Sequence, residues 1–174
     1  MKKGLIPLRK MKKTYLVTGA AGFIGSALAR KIINSGHNVV SIDNLSTGNE
    51  SNIPKGVDFI KGDCQSVEII NKLKNYKFEA IFHIAGQSSG EISFEDPVYD
   101  LQTNTQSTLL LLKICKEIGC SNFIYASTMS VYGDHDNLPV SENDICKPKS
   151  FYAVGKLASE NYLKLYSERD LKTT

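Results

Sequence analysis

The sequence predicts an α/β fold in which a doubly wound parallel sheet, with strands in the order 3-2-1-4-5, is covered by helices on both faces. Three observations carry this expectation. Short β-prone runs alternate with helical segments along the whole chain, the pattern of repeated βαβ units with right-handed crossovers. The first of these runs ends in a glycine-rich turn that opens a helix. A later run, Glu79 to Ala85, is nearly continuous in apolar residues, as a strand covered on both faces should be. The length agrees, since 174 residues fill one such domain, and 41% hydrophobic with 22% charged residues can close a sizeable core.

Tyr15 to Thr18 is the first strand, and Phe23 to Asn34 the first helix, with Ile24, Leu28, Ile32 and Ile33 at helical spacing before Ser35-Gly36 stops it. Asn38 to Asp43 and Val57 to Lys61 read as the second and third strands, Val67 to Leu73 as a short helix, and Glu79 to Ala85 as the fourth strand. A long helix is expected from about Val98 to Glu117, ended by Ile118-Gly119, and Asn122 to Ser127 is the fifth strand. Residues 128 to 150 read as loop, with Gly133, Pro139 and Pro148. Phe151 to Glu168 returns to helix, and a further strand is expected to begin within Asp170 to Thr174. The division is a basic tail over residues 1–13 and a nucleotide-binding domain over 14–174.

The formal charge of +3 does not indicate a nucleic-acid partner. Lys2, Lys3, Arg9, Lys10, Lys12 and Lys13 supply six positive charges with no acid, so the remaining 161 residues are three charges negative. Met11, followed by Lys12 and Lys13, is a second candidate start. No apolar run is long enough for a signal peptide or a membrane span, and Cys64, Cys115, Cys120 and Cys146 form no CxxC pair. A cytoplasmic protein with reduced thiols, no membrane partner and no metal is expected.

Gly19-Ala-Ala-Gly22-Phe-Ile-Gly25 lies between the first strand and first helix, where small residues let backbone amides approach a pyrophosphate and the helix N-terminus adds partial positive charge. A tight turn with close packing would use the same glycines. Asp43 adds weight: it ends the second strand 24 residues after Gly19, where a carboxylate accepts hydrogen bonds from both adenosine ribose hydroxyls and repels a 2′-phosphate. A Rossmann-type site for NAD rather than NADP is expected. The bland reading of Asp43 is a turn aspartate before Asn44.

Tyr152 and Lys156, four apart on the last helix, present their side chains on one face. Eight tyrosines and 18 lysines would give about one such pair by chance, so the spacing alone carries nothing. Position carries it. The pair follows the fifth strand, whose end bears Ser127, Thr128 and Ser130, and open α/β sheets bind ligands at the carboxyl ends of their strands. A free tyrosine titrates near ~10 and needs roughly 4 kcal/mol of help to act as a base at neutral pH. Lys156 and the positive nicotinamide ring are the available cations.

With these residues in order, the chain from 14 to 174 resembles the extended short-chain dehydrogenase/reductase superfamily, within it the N-terminal portion of the NAD-dependent epimerase/dehydratase family, UDP-glucose 4-epimerase-like. The resemblance rests on Thr18-Gly-Ala-Ala-Gly-Phe-Ile-Gly25, Asp43-Asn-Leu-Ser-Thr-Gly48, Gly62-Asp63, His83-Ile-Ala-Gly86, Asn104, Ser127-Thr-Met-Ser-Val-Tyr-Gly133 and Tyr152-Ala-Val-Gly-Lys156. It implies that Gly19, Gly22, Phe23, Ile24 and Gly25 lie against the pyrophosphate, and that Asp43, Asn44, Leu45, Thr47 and Gly48 surround the adenosine ribose. Asp63 and Cys64 would border the adenine. Ile84, Ala85, Gly86, Gln87, Asn104, Ala126 and Ser127 would line the cofactor further along. Tyr152 is implied as general base and acid, Lys156 as the residue that holds the nicotinamide ribose and depresses the tyrosine pKa, and Thr128 as a hydrogen-bond partner of the reacting sugar hydroxyl. Ser88 and Ser130 are candidate substrate contacts. The implied reaction takes the hydroxyl proton to Tyr152 while the C4 hydride moves to NAD; the keto-sugar turns over and the hydride returns to its other face.

The sequence departs from the family where dehydratases carry Asp-Glu after the active-site Thr: here Met129 and Ser130 follow Thr128, which disfavours a 4,6-dehydratase. Gln106-Ser107 stands in place of Asn-Gly, and Gln87-Ser88-Ser89 is a polar stretch without an evident role. His83 reads as a structural wall residue, His37 as a loop residue and His135 as a surface residue. The expected function is a nucleotide-sugar 4-epimerase acting on a UDP-sugar. The alternatives are a sugar-nucleotide reductase or decarboxylase that uses the same Tyr152 and Lys156, or a non-catalytic NAD-binding domain. The substrate lobe and C-terminal strands that relatives carry are expected to be missing. Leu109, Leu110, Leu111, Leu112 and Ile114 make the long helix apolar over so much of its circumference that two buried faces are expected, one against the sheet and one in a homodimer.

Overall fold

The structure is a computed structural model that describes residues 11–134, 138–169 and 171–174. Most of the basic tail (residues 1–10), His135 and Asp170 lie outside the described residues. Six parallel strands form one sheet: β1 (Thr14–Thr18), β2 (Asn38–Asp43), β3 (Val57–Lys61), β4 (Ala80–His83), β5 (Asn122–Tyr125) and β6 (Lys172–Thr173). Their order is β3-β2-β1-β4-β5-β6, the expected order continued by one short strand at the edge. Lys172 and Thr173 pair in parallel with Asn122 and Phe123.

Alternation along the strands divides the core into two layers, because successive side chains point to opposite faces. Leu16 and Val40 face one side with Ile81, Leu111, Leu112 and Phe123. Val17 and Val39 face the other with Ala29 and Ile32 of α1 (Phe23–Asn34). The helices α2 (Val67–Asn71), α3 (Gly90–Glu95), α4 (Pro97–Leu101), α5 (Ser107–Glu117) and α6 (Phe151–Ser167) complete the layers. Ser66, Ser89, Asp96 and Ser150 cap α2, α3, α4 and α6 by accepting from first-turn amides, and Pro97 starts α4 with the φ a helix needs. Gly22, at the start of α1, has no side chain to do this.

The expected long helix is present but not regular. It runs as α4, a π-helical turn over Gln102–Gln106, and α5, and α3 precedes it where no helix was expected. The polar run explains the wide turn. Thr103, Asn104, Thr105, Ser107 and Thr108 are buried, and the hydroxyls of Thr103, Ser107 and Thr108 donate to the carbonyls of Tyr99, Thr103 and Asn104 at 2.9, 2.5 and 2.6 Å. Such back-bonding weakens the regular ladder and lets a π-turn form.

Leu111, Leu112 and Ile114 are buried in the sheet core, and Leu109 and Leu110 are half-buried, so the leucine run itself does not form an outward face. That face comes from Val98 and Leu101 of α4 and from Phe151, Val154, Tyr162 and Leu165 of α6, all exposed. The fourth and fifth strands end earlier than expected, at His83 and Tyr125; after β4 the amides of Ile84 and Ala85 turn to the Thr18 hydroxyl instead of a neighbouring strand. Among the described residues no helix is long and apolar enough to cross a membrane.

Phe123 is fully buried at the centre of the larger layer. Replacing it with alanine is expected to cost ~3–5 kcal/mol, read as a lower urea midpoint with an unchanged slope.

Candidate active site

The strand order reverses direction between β1 and β4, and the crevice at their carboxyl ends is where an open α/β sheet receives a ligand. A cleft of about 560 Å3 opens there. Gly19, Gly22, Phe23, Ile24 and Gly25 form one wall; Asp43, Asn44, Ser46, Thr47 and Gly48 continue it; Gly62, Asp63 and Cys64 close one end; Ile84 to Ser89 lead to the other, with Ile92, Tyr99 and Thr103.

Each wall is fixed by backbone requirements that the sequence meets. Gly19 has φ +73, and a Cβ there would lie 2.9 Å from Ala85 N. On Gly25 a Cβ would come within 2.1 Å of Gly19 O, so the turn closes only with glycine. Gly22 is different: its missing Cβ would meet only Gly19 O at 3.4 Å, leaving open space before α1. The first-turn amides of α1 have no side-chain acceptor, and Phe23 stands 91% exposed at the mouth. Unpaired amides at a helix N-terminus beside a cleft of this size fit a pyrophosphate.

Asp43 is buried and uses both carboxylate oxygens: Oδ2 accepts from Ala21 N and Oδ1 from Leu45 N, each at 2.8 Å. It is therefore a turn aspartate that braces the glycine loop, and it also faces the cleft. Leu45 adopts φ +62 to deliver its amide to Asp43 and does not line the cleft. Asn44 Nδ2 donates to Asp63 Oδ2 at 2.8 Å, joining the loops after β2 and β3. Cys64 is buried at their base, and burial pushes its thiol pKa up.

Thr18 is the joint of the site. Its Oγ1 accepts from the amides of Ile84 and Ala85 at 3.1 Å each and lies 2.8 Å from His83 Nδ1. With both lone pairs taken, the hydroxyl proton points to Nδ1. On the other side of the ring, the Ser107 hydroxyl donates to Thr103 O, so its oxygen accepts from His83 Nε2 at 3.3 Å. These partners assign a neutral imidazole carrying its proton on Nε2. Burial, followed by the charge of Lys156, lowers the His83 pKa to about 3.

A second group of expected residues lies outside the cleft wall, beyond Gly86. Lys156 is buried and donates from Nζ to Ala126 O at 2.9 Å; Nζ also lies 4.7 Å from the centroid of the Tyr125 ring and 5.9 Å from that of Tyr152. Burial pulls its pKa down to about 8, against the opposing charges of Asp100 and Glu160. Tyr152 is 9% exposed. Gly86 joins the two groups, since a Cβ there would sit 2.4 Å from Asn104 Oδ1 and 3.6 Å from Lys156 Nζ. Asn104 Oδ1 is buried and has no hydrogen-bond partner among the described residues. Thr128 Oγ1 accepts from Ser130 N at 3.2 Å as the cap of a 3-10 turn, Met129–Tyr132, and the Ser127 hydroxyl donates to Glu160.

Ser46, Gly62, Ser89, Ile92, Tyr99, Thr103 and the buried Asp100 belong to the site or its wall without having been singled out from the sequence. Only Ser46 and Gly62 stood in recognised motifs. The polar stretch now has a role: Gln87 turns inward, donating from Nε2 to Asp100 Oδ1 at 2.9 Å and to Ser89 O at 2.7 Å.

The profile of the NAD dependent epimerase/dehydratase family matches residues 15–174. A putative UDP-glucose 4-epimerase of Methanocaldococcus jannaschii is 37% identical over 153 residues, covering 87% of this chain and 50% of that protein. The crystal structure of Thermotoga maritima UDP-glucose 4-epimerase with UDP-glucose superposes with a TM-score of 0.89 at 34% identity, over 92% of this chain and 53% of that one. That of the Thermus thermophilus UDP-glucose 4-epimerase with NAD gives 0.88 at 36%, over 92% and 53%. The chain spans about half the length of the relatives it matches.

The His83 network predicts an acid-sensitive fold. The folded pKa lies below the unfolded value, so this contribution is complete above about pH 6.5 and is lost as pH falls through 6.5 toward 3. In the limit it amounts to roughly 5 kcal/mol. Urea unfolding of the wild type should become steeply weaker from pH 6.5 to 4. In His83→Gln that fall should be shallower by about one proton; equal slopes would contradict the assignment.

Proposed function

The chain belongs to the NAD-dependent epimerase/dehydratase family, and from that premise we propose that it carries the cofactor-binding and catalytic portion of a nucleotide-sugar 4-epimerase that acts on a UDP-sugar. The observation that carries this reading is the meeting at Gly86 of the cleft with Lys156, whose Nζ lies 5.9 Å from the centre of the Tyr152 ring. Relatives crystallised with NAD and with UDP-glucose support the choice of cofactor and substrate class.

Residues 14–174 form the NAD domain. Gly22 and the first amides of α1, with Gly19, Phe23, Ile24 and Gly25 around them, would hold the pyrophosphate. Asp43 keeps lone pairs beyond those given to Ala21 and Leu45, and these receive the adenosine ribose hydroxyls while its charge repels a 2′-phosphate. Asn44, Thr47 and Gly48 flank that ribose, and Asp63 and Cys64 flank the adenine. Ile84 to Gln87, with Asn104, Ala126 and Ser127, border the nicotinamide end. NAD, when bound, supplies the centre that takes a hydride from the sugar C4 and returns it to the opposite face. The chain's own work is on the proton. Tyr152 removes it from the C4 hydroxyl and restores it, Thr128 orients that hydroxyl, and Ser88 and Ser130 contact the sugar nucleotide. Lys156, held by Ala126 O, keeps two further N–H donors for the nicotinamide ribose and places its charge 5.9 Å from the centre of the Tyr152 ring.

The outward apolar face extends from Phe94 and Phe151, which meet edge to face at 5.4 Å, through Val98 and Leu101 to Val154, Tyr162 and Leu165. Two such faces pair in a homodimer. Four free cysteines, three of them buried, support a reducing, cytoplasmic setting.

Tyr152→Phe should lower the rate of UDP-galactose and UDP-glucose interconversion by ~10²–10⁴-fold while NAD affinity holds, read by product analysis and by calorimetry. Steady NADH consumption or CO2 release would point to the reductase or decarboxylase chemistry instead; an unchanged rate would leave only an NAD-binding module. Light scattering at tens of micromolar should give twice the 19.2 kDa chain mass, and Leu165→Glu should halve it. A wild-type monomer would overturn the dimer.

A further inference from the structure

Asp100 sits in the kinked helix, 1% exposed, in a position that neither the glycine loop nor the Tyr152 motif explains. Its Oδ1 accepts from Gln87 Nε2 at 2.9 Å and from Asn104 Nδ2 at 3.1 Å. Asn104 Nδ2 also donates to Gln87 O at 3.1 Å, so one carboxylate and two amides tie the loop after β4 to the π-turn. The same bonds fix which way the Asn104 amide points: with both N–H groups spent on Gln87 O and Asp100, Oδ1 faces Gly86, beside Lys156 Nζ. Asp100 Oδ2 meets the catalytic helix, 3.5 Å from the position a Cβ on Gly155 would occupy.

We infer that Asp100 is a positioning residue of the active site: it clamps Gln87 and Asn104 into place at the nicotinamide end of the cleft, and it is the buried anion that keeps Lys156 cationic. The inference rests on the role given above to Lys156 as the charge beside Tyr152.

Every element around Lys156 contributes a group. From α6 come Tyr152 and Glu160, from β5 the Tyr125 ring, from β4 the neutral His83, and from α4 Asp100. His83 is neutral, and Tyr125, whose pKa burial raises, brings no negative charge at neutral pH. Glu160 does, but it is half-buried and already accepts from the Ser127 hydroxyl. Asp100 is the carboxylate held away from water, and burial raises its own pKa while Asn104, Lys156 and Gln87 pull it back. Asn104 lies between the two groups, with Nδ2 on Asp100 Oδ1 at 3.1 Å and Oδ1 at the Gly86 wall that Lys156 Nζ also borders, and a desolvated ammonium near a desolvated carboxylate stays charged where an isolated one would give up its proton.

The test is a titration that does not depend on turnover. The 13Cε resonance of Lys156 in the 174-residue chain should titrate near about 8. Asp100→Asn should lower that midpoint by about one pH unit or more, which is a tenfold or larger change in proton affinity. Asp100→Glu should restore most of it, and Glu160→Gln should move it less than Asp100→Asn does. An unmoved midpoint in Asp100→Asn, or a larger shift in Glu160→Gln, would overturn the assignment. If Asp100→Asn does not fold, the wild type decides: the Asp100 carboxyl resonance should titrate above the ordinary aspartate value, with an inflection at the same pH in Lys156, and absence of that shared inflection would overturn it. Lack of epimerase activity with the coupling intact would refute the proposed reaction and leave this inference standing.

Discussion

The active site depends on a single hydroxyl at the point where the sheet changes direction. β1 and β4 are neighbours, but the chain leaving β1 must turn into α1 while the chain leaving β4 turns the other way. Two loops parting from adjacent strands leave amides that no strand can pair. Thr18 accepts from both of those after β4 and donates a hydrogen bond to His83 Nδ1. A valine of the same shape would leave two buried amides without partners, at a cost of ~1–3 kcal/mol each, and the crevice would lose the reason for its shape. Gly19 can sit against Ala85, and Gly86 beside Lys156, because Thr18 keeps the β4 loop close.

The price of such a site is polarity in the interior. His83, Asp100, Asn104 and Lys156 are all buried, together with a row of Thr and Ser hydroxyls on the kinked helix. Nearly every donor finds an acceptor, often by bending the helix backbone rather than by recruiting another strand. The lysine pKa is drawn down and the aspartate pKa up by the same burial, which is the arrangement that makes both groups sensitive to one another. The apolar layers on both faces of the sheet hold this polar seam in place.

The glycine spacing, the acidic end of β2 and the order of elements were readable in the sequence because each follows from local chemistry: a turn that excludes Cβ atoms, a strand that alternates, a helix that needs a cap. The strand order followed from the alternation of strands and helices, right-handed crossovers and the doubly wound pattern together. The π-turn was not readable, since Gln102 to Gln106 is unremarkable as a helical segment until its hydroxyls are seen to be buried. Asp100 was missed for a related reason. An aspartate three residues after a proline looks like a solvated first-turn acid, and only the packing of the Gln87 loop over it removes the water. The leucine run is shared out because four consecutive leucines must point all around a helix: the sheet takes up Leu111 and Leu112, Leu109 and Leu110 stay half-buried, and the exposed apolar residues lie on α4 and α6.

Along α6, Tyr152 and Lys156 are buried while Phe151 and Val154 are exposed within the same turns. Adjacent residues on a helix face different directions by about 100°, so a segment of a few residues serves both the interior and the outer surface. Burying Phe151 and Val154 against another apolar face would restrict the backbone that sets the spacing of Tyr152 and Lys156. A catalytic pair, as proposed for Tyr152 and Lys156, needs placement to a fraction of an ångström, and a helix packed on only one side holds its side chains less firmly than one packed on two. Pairing of this face in the proposed homodimer would therefore bear on the proposed reaction through the backbone of α6.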